Sequence, residues 1–134
     1  MLKFLGRIQA ESYALLRIVS GFLFCFHGAQ IILGVFRVGF PPGFTVRIGS
    51  QTWFGGMIEL LGGLAVMLGF QTRLAAFLCS GTMAFAYMQF HWKGQLDRNF
   101  FPAINGGEPA ALFCFIFLLI AAKGAGKWAL DKNP

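Results

Sequence analysis

Four apolar runs, residues 18–36, 48–72, 74–92 and 109–122, carry one formal charge between them, Glu59. A hydrocarbon core takes roughly 20 apolar helical residues per crossing, so runs of this length fit four helical spans. The last run is short, and its helix is expected to begin at Gly107 or Glu108 and to reach Lys123 with some local bilayer adjustment. Composition agrees: 12% of the 134 residues are charged, against about 25% in a soluble domain. The expected fold is all-α, a four-transmembrane-helix bundle in a single domain over 1–134, with helices at 13–36, 51–69, 73–92 and 107–123.

The excess of 11 Lys and Arg over 5 Asp and Glu raises the question of nucleic acid, but the basic residues cluster at the ends of the runs and form no continuous stripe. Nucleic acid is therefore excluded as a partner, and the lipid bilayer is the expected one. The positive-inside rule places Lys3, Arg7, Arg73, Lys123, Lys127 and Lys132 on the cytoplasmic side, with both termini, and Arg37, Arg47, Lys93 and Arg98 on the far side. Lys3 and Arg7 ahead of an apolar run mimic a secretory signal. That run is long enough to span a bilayer and lacks a small-x-small cleavage site, so it is expected to remain as the first helix. Cys25, Cys79 and Cys114 fall singly in three different runs, without metal or disulfide spacing, and read as small buried residues.

Paired prolines in Gly39-Phe-Pro-Pro-Gly-Phe44 end the first helix, and Phe40 and Phe44 suit the headgroup zone. Phe70-Gln71-Thr72 reads as a tight turn, with Thr72 capping a third helix that starts near Arg73. Residues 93–107 form a polar loop, closed by Pro109 in the first turn of the last helix. Glycines recur seven apart at Gly21 and Gly28, at Gly55 and Gly62, and at Gly56 and Gly63, while Ala76, Ser80 and Ala84 follow at four-residue spacing. Small residues in register let membrane helices pack backbone to backbone.

Antiparallel spans bring the polar residues to comparable depth, since each helical residue rises about 1.5 Å. His27 and Gln30 on the first helix, Glu59 on the second, His91 on the third and Glu108 on the fourth all fall toward the outer side. An ionisable group in a span normally faces a protein interior or a wet cavity and pairs with another polar group. A contact from Glu59 to His27 or Gln30 is the expected centre of a ligand or proton site, set against a purely structural lock of helix register. His27 lies several residues deep and His91 near the end of its span, so haem held between them is disfavoured. No metal motif, cysteine pair, nucleotide loop or nucleophile triad is visible, and no catalytic residue is assigned. Arg17 and Arg73 read as residues snorkelling to the interface, with an anion or quinone-headgroup contact as the functional alternative.

Leu16-Arg17, Phe26-His27-Gly28, Ile58-Glu59-Leu-Leu-Gly62-Gly63, Leu68-Gly69-Phe70-Gln71-Thr72-Arg73, Gly107-Glu108 and Gly124-Ala-Gly126-Lys-Trp-Ala-Leu130-Asp131 occur in order, and together they resemble the DoxX family. The resemblance implies a small four-helix protein of the bacterial cytoplasmic membrane. The family is named for a subunit associated with thiosulfate:quinone oxidoreduction, so the resemblance also implies at most a non-autonomous subunit of an oxidoreductase complex. Three functional readings follow. The first is binding of a quinone or similar amphiphile near His27, Glu59 and Glu108 beside a soluble redox partner or membrane complex. The second is proton-linked transport with Glu59 titrating, and the third a scaffold or assembly factor without chemistry. Exposed apolar area is compatible with homo-oligomers.

Overall fold

The computed structural model describes residues 2–132, so the single-domain reading over 1–134 extends to Met1, Asn133 and Pro134, which lie outside the described residues. The chain is all-α. A short α1 (Leu2–Arg7) leads into α2 (Gln9–Ile32). α3 (Gln51–Leu68) and α4 (Thr72–Ala86) follow, then a short α5 (Pro102–Asn105) and α6 (Glu108–Lys123). Two of these, α2 and α3, are long and apolar enough to cross a membrane.

The first helix starts and stops four residues earlier than its apolar run predicts. Glu11 and Ser12 are tolerated in an opening turn, and the chain leaves the helix at Leu33 because Gly34 adopts φ +74°. Arg37 then folds back and donates to the last carbonyls of α2, Nε to Gln30 O at 2.7 Å and Nη2 to Ile31 O at 2.9 Å. Those acceptors are orphaned at any helix C-terminus, and a guanidinium there also meets the negative end of the helix dipole.

α3 is interrupted by one π-helical turn, Ile58–Gly62, which contains Glu59. α4 runs on into a second, Tyr87–Trp92, which contains His91. A π-turn widens the helix, re-aims the side chains on it, and recurs at functional sites.

Packing divides the bundle into two close pairs. α2 lies against α3 at glycines: a Cβ on Gly28 would stand 2.2 Å from Leu60 N, and one on Gly63 would stand 2.4 Å from Cys25 N. α4 lies against α6, where Ser80 Oγ donates to Cys114 O at 2.8 Å beside the fully buried Ala76. Between α2 and α6 the main filler is aromatic, with Phe24 packed 4.7 Å from Phe117 and 5.6 Å from Phe113, centroid to centroid. The opposite faces of all four long helices carry exposed large apolar side chains, among them Phe22, Phe54, Phe77 and Phe115. Apolar surface this continuous is not left to water.

Candidate functional site

One end of the bundle is sealed by the C-terminal tail. Tyr13 donates to Gly124 O at 2.6 Å, where the chain leaves α6. Arg17 is fully buried and its fork reaches four carbonyls: Val66 and Met67 of α3, both at 2.8 Å, and Lys127 and Trp128 of the tail at 2.9 and 2.7 Å. The snorkelling assignment is thereby corrected. Arg17 points inward because the free carbonyls at the C-terminus of α3 and the turning tail offer acceptors that water would otherwise have to supply. Both terminal nitrogens are occupied by these four carbonyls, while Nε is buried without a partner. Arg73 is exposed and donates to Ala121 O and Ala122 O at the end of α6, so it caps a helix as well.

The turn between α3 and α4 also belongs to the tail. Leu130 N and Asp131 N donate to Leu68 O and Gly69 O. The Asp131 carboxylate accepts from Gln71 N at 2.8 Å, Thr72 N at 2.9 Å and Thr72 Oγ1 at 2.6 Å. The expected Thr72 cap is corrected accordingly: α4 begins at Thr72 itself, and the capping oxygen comes from a residue 59 positions away. Gln71 stands at φ +46°, in the left-handed region that non-glycine residues rarely adopt, and the bond from its N–H to Asp131 holds it there. These bonds from Thr72 and Gln71 hold the Asp131 carboxyl below its ordinary value of 3.8.

The other end is hollow. A cavity of about 770 Å³ opens between α2, α3, α4 and α6, with Phe24, Phe85, Phe90 and Phe113 among its mostly apolar lining. Glu59 Oε2 lies 2.5 Å from His27 Nδ1, and the carboxylate, 6% exposed overall as a residue, reaches the cavity wall. The His27 side chain remains 54% exposed. With Nδ1 engaged by Glu59, the second ring nitrogen of His27 is the one available to an occupant.

Of the other expected site residues, Gln30 and His91 line the same cavity. The amide of Gln30 is engaged by Phe36 O at 2.7 Å, and Nδ1 of His91 by Asn105 O at 3.3 Å. Glu108 does not join them. It is exposed in the first turn of α6, where a carboxylate suits the helix dipole, and it stands apart from the cavity lining. Residues that the sequence did not single out complete the wall: Gln51, whose side chain bonds that of Gln89 across α3 and α4, together with Thr52 and Thr82. Phe40 and Phe44 of the loop after α2 reach this region as well. Phe40 lies 6.2 Å from the His27 ring and Phe44 lines the cavity, its carbonyl held by Arg37 Nη1 at 2.7 Å. Among the described residues no group of three or more His, Cys, Asp or Glu could hold a metal ion.

Helices of membrane length, apolar outer faces and a buried carboxylate at a cavity define a small helical membrane protein. The chain belongs to the DoxX family, whose match covers residues 12–92. An uncharacterized protein of Haemophilus influenzae is 39% identical to it over 120 residues, covering 90% of this chain and 88% of the relative. No solved structure matches the chain. The family match takes in Arg17, His27 and Glu59 and stops before α6 and the tail that Arg17 holds.

Proposed function

We propose that this DoxX-family protein is a four-span bundle of the bacterial cytoplasmic membrane, with both termini inside, and that it binds a small amphiphile of quinone type in the outer-half cavity at His27 and Glu59. It would act beside a redox partner rather than as a complete enzyme. Support for four spans comes from α4, which continues through its π-turn to Trp92, and from exposed aromatic faces on α4 and α6. The observation that carries the binding reading is a buried carboxylate held by a half-exposed imidazole on the wall of a mostly apolar cavity. Ligand sites are commonly concave and apolar, with a few convergent polar groups that fix orientation. With Nδ1–H donated to the Glu59 carboxylate, the other nitrogen donates to a ring carbonyl when His27 is imidazolium, and accepts from a ring hydroxyl when it is neutral.

The sealed end favours binding over permeation, because a through path would have to cross the Arg17 carbonyl cluster and the tail. The test is native mass spectrometry of protein gently extracted from its own membrane. Wild type is expected to retain a quinone-sized adduct that Glu59→Gln loses. A protein partner with no small molecule in either sample would instead favour the scaffold reading.

A further inference from the structure

Beside the cavity, an apolar groove of about 560 Å³ runs along the outside of α2 and α6, walled by Leu15, Leu16 and Val19 on one side and by Leu112 and Ile116 on the other. Leu23, Pro109 and Phe113 border both spaces, so the groove lies directly against the cavity across these three side chains. Ser12 and Ser20 line the groove too, and the Ser20 hydroxyl donates back to Leu16 O and Arg17 O of its own helix rather than into it.

Dimensions and charge narrow the occupant. From Ser12 to Leu23, α2 rises roughly 16 Å, a length that an extended apolar chain can follow. A phospholipid headgroup is a poor fit on the cavity side, because the cavity lining contains Glu59 and neither lysine nor arginine.

Resting on the reading that the cavity binds an amphiphile, we propose that its ligand carries a single long apolar chain that lies in the α2–α6 groove, with the polar ring at His27 and Glu59 and a passage that opens between Leu23 and Phe113 as a sideways entrance from the bilayer. The chain then selects the ligand by shape. Lipid tails are as apolar as the groove, so the gain comes from packing rather than from escape from water.

The protein in nanodiscs is titrated with two probes matched for concentration in the bilayer: 2,3-dimethoxy-5-methyl-1,4-benzoquinone without a chain, and the same ring bearing a decyl chain. The decyl probe is expected to bind about tenfold tighter, a difference read directly from the two dissociation constants. Val19→Trp and Leu112→Trp, each placing a bulky ring into the groove from a position more than half exposed, 52% and 63%, should bring that ratio to within about twofold without changing affinity for the bare ring or the melting temperature. Equal binding of the two probes to the native protein, or a ratio that survives both substitutions, overturns the groove proposal and leaves the cavity reading standing. Failure of both probes to bind overturns the cavity reading and this proposal with it.

Discussion

The two ends of this bundle solve the same problem in opposite ways. At the closed end three helix termini are given partners by other parts of the chain: Arg17 serves the carbonyls of α3, Asp131 serves the amides of α4, and Arg73 serves the end of α6. At the open end two helices widen into π-turns, and a buried carboxylate is left facing a hollow with one side-chain partner among the described residues. Satisfied polar groups rigidify, whereas a cavity and a sparsely bonded ionisable group forgo packing and keep chemistry accessible. The contrast assigns stability to one end and binding to the other, and it can be broken by substitutions at each.

The largest effect on stability is expected at Arg17. Arg17→Ala removes four charge-assisted bonds and leaves their carbonyls buried, which costs about 3–5 kcal/mol by analogy with other broken buried ionic contacts. Arg17→Lys should rescue little, because a point ammonium has three donors and no planar fork. Thermal unfolding in detergent measures both, and a loss under about 1 kcal/mol for Arg17→Ala would remove the closed end from its role.

Next comes the glycine contact between α2 and α3. In Gly28→Ala the new methyl would lie 2.2 Å from Leu60 N and 2.7 Å from its Cα, backbone atoms that cannot yield unless the helices part. Overpacking of this kind costs about 1–3 kcal/mol. It should also stretch the neighbouring His27–Glu59 bond. Gly81→Ala is the control: its Cβ would meet nothing within 4 Å, and the helix gains up to about 1 kcal/mol from alanine. Equal melting temperatures for the two variants would contradict the close approach.

Asp131 has a smaller effect with a definite pH signature. Its carboxyl is held below the ordinary value of 3.8 by the hydroxyl and amide of Thr72, with the amide of Gln71 adding to the effect. The folded protein therefore binds this proton more weakly than the unfolded chain, so the contribution is complete above the ordinary carboxylate value and fades as pH falls through the depressed one. Loss of a capping side chain costs about 1 kcal/mol. Asp131→Ala should lower the melting temperature at pH 7 and leave wild type and variant alike at the acid extreme. A gap that persists there would assign the effect to something other than the carboxylate.

The hydrophobic runs made the helices legible, because length and apolarity suffice to specify them. The seven-residue glycine spacing also pointed to the α2–α3 contact, although Gly55 meets nothing and Gly62 turns to Cys79 of α4. Glu59 and His27 could be paired by depth, since an antiparallel hairpin fixes which turns lie level. The closed end could not be read this way. Arg17 and Asp131 act on residues between 49 and 111 positions away, and no local pattern distinguishes a buried arginine from a snorkelling one. Glu108 was misplaced for the related reason that depth alone does not say which way a side chain faces. The π-turns re-aim Glu59 and His91 without a residue type that marks them.

At the open end, stability and function should separate. Glu59→Gln keeps a polar atom within reach of His27 Nδ1, and the His27 side chain, 54% exposed, is not left as an unpaired buried group. The usual penalty for breaking a buried ion pair therefore does not apply in full, and the change in stability should stay below about 1 kcal/mol. Ligand binding should respond differently, because the carboxylate is what orients the imidazole toward an occupant. The paired measurement is melting temperature and retention of the quinone-sized adduct for wild type, Glu59→Gln and His27→Ala. Variants that melt near wild type but arrive without the adduct would assign the pair to binding. Variants that lose several kcal/mol would instead show that the open end, like the closed one, uses its buried polar groups to hold the helices in register.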